Sequence, residues 1–168
     1  MIALKLTNIK DFMNKLLRTE LFDHFLLQEA AITGAASFVI DGHIHRDFFS
    51  QEELEELGLT GCLALPFSML RANCFDLMKG KKTPSYFKFV FLLSPENLAR
   101  TLSSLHSSFT PNDLSAVCLN IKFQNQTLIL TTGISYHTFS TDRSLENEWD
   151  SLAKRFLTQH QISFEELS

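Results

Sequence analysis

Phe87, Phe89 and Phe91 occupy every second position of one short stretch, interleaved with Lys88 and Val90. Successive side chains on a strand point to opposite faces, so this period describes a sheet with one buried face. Ser94-Pro95-Glu96 follows at once, a cap, a proline and an acid that start a helix holding Leu98, Leu102 and Leu105. A half-buried strand running directly into a capped helix argues for helices layered on a sheet. The chain has 16 phenylalanines, and the alternating three read as core rather than as platforms for stacked bases. Phe48, Phe49, Phe109 and Phe139 are less obviously internal, and any left exposed together would mark a partner surface.

The same order opens the chain. Ile2, Leu4 and Leu6 alternate with Ala3, Lys5 and Thr7 as a strand, and Asn8 caps a helix to about Arg18 whose stripe is Ile9, Phe12, Met13, Leu16 and Leu17. Two antiparallel strands are expected next, Phe22 to Ile32 and Phe38 to Ile40, ending at the turn Asp41-Gly42. Ser50 and Glu53 form a capping box for a short acidic helix that Gly58 stops. Pro66 then opens a longer helix with the stripe Phe67, Met69, Leu70, Cys74, Leu77 and Met78, ended by Gly80.

Beyond Tyr86–Leu93 and its helix, strands over Ala116–Phe123 and Thr127–Phe139 make a hairpin through Gln124-Asn125-Gln126. A last helix over about Thr141–Gln159 has the stripe Leu145, Trp149, Leu152 and Phe156. The tail Gln161–Leu167 alternates apolar and polar residues, suited to docking on a partner or to loose packing on its own domain. Two similar strand-helix-strand-strand-helix halves, 1–83 and 84–160, follow from this order. The expected class is α+β, a largely antiparallel sheet covered on one face by helices.

With 168 residues, 45% hydrophobic and 20% charged, the chain reads as one soluble domain, 1–168, able to build its core without disulfides or a structural metal. Cys62, Cys74 and Cys118 are odd in number and show no CxxC spacing, so buried reduced thiols and a cytoplasmic location are expected. No apolar run approaches the ~20 residues of a membrane helix, and the N-terminus lacks a signal-peptide pattern, so neither export nor anchoring is expected. Fifteen Lys+Arg against nineteen Asp+Glu exclude a protein that coats nucleic acid indiscriminately, while leaving room for a local basic face.

Three constellations bear on chemistry. If the segment Asp41-Gly42-His43-Ile44-His45-Arg46-Asp47 continues as a strand, Asp41, His43, His45 and Asp47 share one face, where two imidazoles and two carboxylates suit a divalent metal; Ile44 and Phe48 then face the core. Alternate strand positions lie ~7 Å apart, close enough for two ligands and too splayed for four on one ion. Arg71, Lys79, Lys81, Lys82 and Lys88 surround Thr83-Pro84, and with Lys10, Lys15 and Arg18 of the first helix they are the densest positive charge in an acidic chain. His24, His106, His137 and His160 are isolated in sequence. No nucleophile elbow, phosphate loop or dinucleotide fingerprint is present, so catalysis by those routes is not expected.

In the texture of MIALKLTNIKDFMNKLL, DGHIHRDFF, and KGKKTP followed by YFKFVF, the chain resembles a family of uncharacterised proteins from Gram-positive gut anaerobes, a resemblance that covers most of the chain and implies no activity. The strand-helix-strand-strand order of each half is similar to the repeat of DNA sliding clamps, with MIALKLTNIKDFMNKLL standing for the first strand and inner helix and LPFSMLRANCFDLMKG for the second inner helix. That resemblance implies basic residues on inner helices facing the duplex, a part open here to Lys10, Lys15, Arg18 and Arg71. The chain has one domain's worth of residues plus extra helices where a clamp chain repeats the domain.

The expectation is a non-catalytic, cytoplasmic, clamp-like domain acting in assembly or nucleic-acid contact. Its binding residues would be Lys10, Lys15, Arg18, Arg71, Lys79, Lys81 and Lys82, with no cofactor. Partners would be nucleic acid or another protein, with no membrane. The alternative is a metal-dependent enzyme centred on Asp41, His43, His45 and Asp47, with a divalent ion.

Overall fold

The alternating phenylalanines stand near the middle of a seven-stranded antiparallel sheet in the computed structural model, which describes residues 1–167. Ser168, the last residue of the expected 1–168 domain, lies outside the described residues. In chain order the elements are β1 (Ala3–Leu6), α1 (Ile9–Arg18), β2 (Leu26–Thr33), β3 (Ser37–Asp41), α2 (Gln51–Glu56), α3 (Phe67–Met78), β4 (Tyr86–Leu92), α4 (Pro95–Ser104), β5 (Leu114–Gln124), β6 (Thr127–Tyr136), α5 (Ser144–Gln159) and β7 (Phe164–Leu167). The strands lie side by side as β3-β2-β4-β5-β6-β1-β7, and every neighbouring pair is antiparallel. The expected α+β class with a helix-covered antiparallel sheet is what the chain forms.

The two sequence halves share this one sheet. β2 pairs with β4, while β1 sits between β6 of the second half and β7 of the tail, so strands of the two halves interleave. The tail packs on its own domain, and not loosely: Phe164–Leu167 completes the edge by pairing with β1, Leu6 opposite Phe164 and Ala3 opposite Leu167. Its alternation is therefore that of a strand.

One face of the sheet carries the core. Leu4 and Leu6 of β1, Ala30 and Ile32 of β2, Phe87, Phe89 and Phe91 of β4, Leu119 and Ile121 of β5, and Leu128 and Leu130 of β6 are all buried in one cluster. Phe12 and Leu16 of α1, Phe67 and Cys74 of α3, Leu102 of α4, and Leu145, Trp149 and Leu157 of α5 press on it from above. Phe91 is the hub, with ring centroids at 5.4 Å from Phe22, 5.8 Å from Phe25, 5.1 Å from Phe67 and 5.9 Å from Phe89. On the opposite face Leu92 and Cys118 meet Leu26, Cys62 and Ala64 in a smaller cluster, covered by the chain around Ile44.

The caps behave as their sequences require. Asn8 accepts from the Asp11 N–H at 3.0 Å, Ser50 and Glu53 close both arms of a capping box, and Ser94 accepts from the Asn97 N–H at 3.3 Å. Several boundaries and two stripes move. The chain from Phe22 to Phe25 is a turn, with the Phe25 N–H bonded to the Phe22 carbonyl, so β2 starts only at Leu26. The last helix starts at Ser144 rather than Thr141, because the Asp142 carboxylate takes the Ser144 N–H in a preceding turn. β6 ends at Tyr136, leaving Phe139 exposed. Met69 of the expected α3 stripe is exposed. In α5 the core takes Leu145, Trp149, Ala153 and Leu157, and leaves Leu152 and Phe156 half-buried. The three thiols are unpaired; Cys74, fully enclosed, is pushed up to about 12 by burial.

Gly42 is the glycine with least room for a side chain. A Cβ there would stand 1.7 Å from the Leu27 carbonyl oxygen, where β2 carries a bulge between Leu27 and Glu29 and the Gly42 N–H bonds to Gln28 at 3.0 Å. Gly42→Ala is therefore expected to cost about 2 kcal/mol or more in chemical denaturation, through forced displacement of β2. Phe91→Ala, which empties the aromatic hub, is expected to cost about 3 to 5 kcal/mol by the same measurement.

Candidate functional site

The amphipathic α1 buries Phe12, Leu16 and Leu17, so Lys10, Lys15 and Arg18 are left on its other surfaces. Lys15 is held by its own domain: Nζ donates to Asp11 Oδ2 at 2.8 Å and to the Gln161 carbonyl at 3.0 Å, tying α1 to the turn after α5. Arg71 is likewise engaged. Its Nε and Nη2 donate to Asp23 Oδ1 at 2.9 Å and Oδ2 at 3.3 Å, a forked pair joining α3 to the turn before β2. Asp23 is buried, and Arg71 is the side chain that makes its charge tolerable there.

The other five cations gather at one end of the helical layer. Lys10 and Arg18 of α1 and Lys79 at the end of α3 line a groove of about 470 Å³ between the two helices, with Met13, Phe75 and Pro84 in its walls. The Arg18 guanidinium lies 5.2 Å from the centre of the Phe75 ring, which holds it at the rim by cation–π attraction. Lys79 pairs with Asp76 at 3.1 Å across an exposed turn. Gly80, at φ +139, bends the chain out of α3, and Lys81 is exposed on the loop that follows. Lys82 lines an adjoining groove of about 540 Å³ that shares Met78, Lys79, Thr83 and Pro84 with the first and reaches Phe38 on the edge strand β3. Lys88 is elsewhere, on the opposite sheet face, 3.6 Å from Glu29.

The Asp41–Asp47 segment departs from the expected strand. β3 stops at Asp41, Gly42 crosses against β2, His43 makes an isolated bridge to Ala64, and Arg46–Phe48 coil into a short 3-10 turn. Alternate side chains consequently do not share a flat face. Asp41 and His43 do meet: Oδ1 accepts from the His43 backbone N–H at 3.0 Å and lies 2.6 Å from its Nδ1. Those two bonds hold the Asp41 carboxyl below the ordinary aspartate range. His45 and Asp47 do not join them, and among the described residues no three His, Cys, Asp or Glu side chains converge as a metal site would need. Phe48 is 82% exposed against an expected core position, because the 3-10 turn swings it outward onto Phe49.

A site the linear pattern does not announce lies between α4 and α5. His24 and His160, isolated in sequence, line the same cleft of about 580 Å³ as Arg100 and Arg155. The His160 ring packs 4.7 Å from Phe156, one of the two stripe residues that α5 leaves outside the core. Four separate segments supply this lining, so no local motif could have marked it. The nearest sequence signal is the α5 stripe itself, wider than the core that α5 covers.

Arg71→Ala is expected to destabilise the protein by about 2 to 4 kcal/mol in denaturant melts, since it strands the buried Asp23 carboxylate. Lys81→Ala, on an exposed loop, should change stability by less than about 0.5 kcal/mol in the same melts.

No curated protein and no solved structure matches the chain. A family model does, over residues 15–165, a span that runs from the last turn of α1 to the middle of β7 and takes in every element between them. The chain therefore belongs to that family, a family of unknown function designated DUF5721.

Proposed function

We propose that this protein is a non-catalytic, cytoplasmic binding domain that contacts the phosphate backbone of nucleic acid through the α1–α3 end of its helical layer. The observation that carries this reading is the gathering of Lys10, Arg18, Lys79 and Lys82 along two adjoining grooves, with Lys81 on the loop beside them. Of the seven cations expected from sequence to bind, Lys15 and Arg71 are engaged in contacts that tie elements together, and the remaining five, including Lys79 whose pair with Asp76 is exposed and exchangeable for a phosphate, serve as the phosphate-facing set. Their summed field attracts polyanions at a local face even though the chain as a whole carries a formal charge of −4. Lysines act there as point charges and supply position rather than base readout, so binding is indifferent to sequence.

The arrangement is in keeping with a clamp-like domain, in which helices on one side of a sheet turn basic residues toward a duplex. α1 and α3 pack together on the same sheet face, the relation that the two inner helices of a clamp domain would have. Among the described residues no helix is long and apolar enough to cross a membrane.

Titration of a duplex oligonucleotide over a series of salt concentrations tests the reading. Each phosphate neutralised contributes about −0.9 to the slope of log K against log salt, so engagement of all five cations gives a slope of about −4.5. The Lys81→Ala/Lys82→Ala double variant should reduce that slope by about 2 while leaving the fold unchanged. Absence of binding to duplex and single strand at low salt, or a slope the variant does not move, would sink the proposal.

A further inference from the structure

We infer that the cleft between α4 and α5 is a binding site for an amphipathic anion, an apolar chain ending in a single carboxylate, separate from the phosphate-facing surface. The volume, about 580 Å³, falls within the roughly 300–1,000 Å³ of small-molecule pockets. The floor is apolar and unfinished: Leu152 and Phe156 of α5, with Leu21, Phe25 and Leu93, are only half-buried. An apolar chain laid on that floor removes their remaining surface from water.

The polar groups are placed at the mouth. Helix α5 presents Leu152, Arg155 and Phe156 at helical spacing, and α4 presents Asn97, Arg100 and Thr101 in the same way, so each helix offers a guanidinium beside its own lining side chains. Two guanidinium groups and the imidazoles of His24 and His160 face one carboxylate, that of Glu20. Arg100 is partly satisfied by Glu96 at 2.9 Å. Arg155 has no ion-pair partner among the described residues, and its fork matches a carboxylate in two-point fashion. An anionic head at Arg155 with its tail toward Leu21 and Phe25 meets both halves of this lining, whereas a neutral chain leaves the mouth unanswered.

Trp149, the single tryptophan of the chain and 6% exposed, forms part of the lining and reports occupancy through its emission. Dodecanoate, dodecyl phosphate and dodecanol, each below its aggregation threshold, are titrated into the full chain by Trp149 fluorescence and by calorimetry. Dodecanoate is expected to bind saturably with one site, and Arg155→Ala, at an exposed position, should weaken it about tenfold or more. Dodecanol should bind more weakly and be unaffected by Arg155→Ala. Dodecyl phosphate binding more tightly than dodecanoate, with the same dependence on Arg155, would retain the site and assign its head group as phosphate. Absence of saturable binding by either anion, or dodecanol binding as well as dodecanoate in both proteins, overturns the inference. Neither result bears on the salt-dependent nucleic-acid titration, which reads a different set of residues.

Discussion

Contact between Phe91 and the rings around it holds the helical layer on the sheet. Phe91 touches Phe67 at the start of α3 and the Phe22–Phe25 turn that leads into β2, and that turn in its own right meets Phe12 of α1 and Phe156 of α5. Three helices are thus referred to one position on β4 through edge-on and stacked ring contacts, each of which adds to the area the rings already bury. The positions of both candidate surfaces follow from it. The α1–α3 grooves exist because α1 and α3 are drawn to the same aromatic cluster, and the α4–α5 cleft is bounded by Phe25 and Phe156 on that cluster's outer side.

The opposite sheet face is built differently. Only the end near Leu92 and Cys118 is covered, by Cys62, Ala64 and the chain around Ile44, and the Gly42 crossing is what lets that segment leave β3 and come close to β2. The remainder carries Lys88 paired with Glu29 and Lys122 over the Tyr86 ring, contacts suited to a solvated sheet face. The same crossing governs the histidine segment. Once Gly42 has turned out of the strand, Asp41 and His43 are bound to each other, while Arg46 reaches back to the Cys62 carbonyl at 2.9 Å and anchors the 3-10 turn. The period-two geometry assumed for Asp41, His43, His45 and Asp47 needs the strand to continue without a break from Asp41 to Asp47, and a close backbone approach ended it first.

Much of the architecture was legible because periodicity and capping are local. The phenylalanine alternation of β4, the caps at Asn8, Ser50 and Ser94, and the hairpin through Asn125 follow from side-chain direction and from backbone groups a few residues apart. The site residues were legible only as a list. Lys15 and Arg71 look as available as Lys81 in sequence, yet their partners, Gln161 and Asp23, lie 146 and 48 residues away. The Lys15–Asp11 pair sits at the local i,i+4 spacing, but the long-range bonds to Gln161 and Asp23 are encoded by no local spacing.

By itself, the sequence determined the class of structure, the order of its elements and the excess of apolar surface on α5, since each depends on the period with which side chains leave the backbone. Tertiary structure alone decided that β1 inserts between β6 and β7, that the tail becomes an edge strand, and that His24, Arg100, Arg155 and His160 meet around one cleft. The physical reason is the same in each case. Strand neighbours and cleft walls are chosen by competition among all the apolar faces of the chain for one shared core, and that competition is settled only when the whole chain has collapsed onto the phenylalanines of β4.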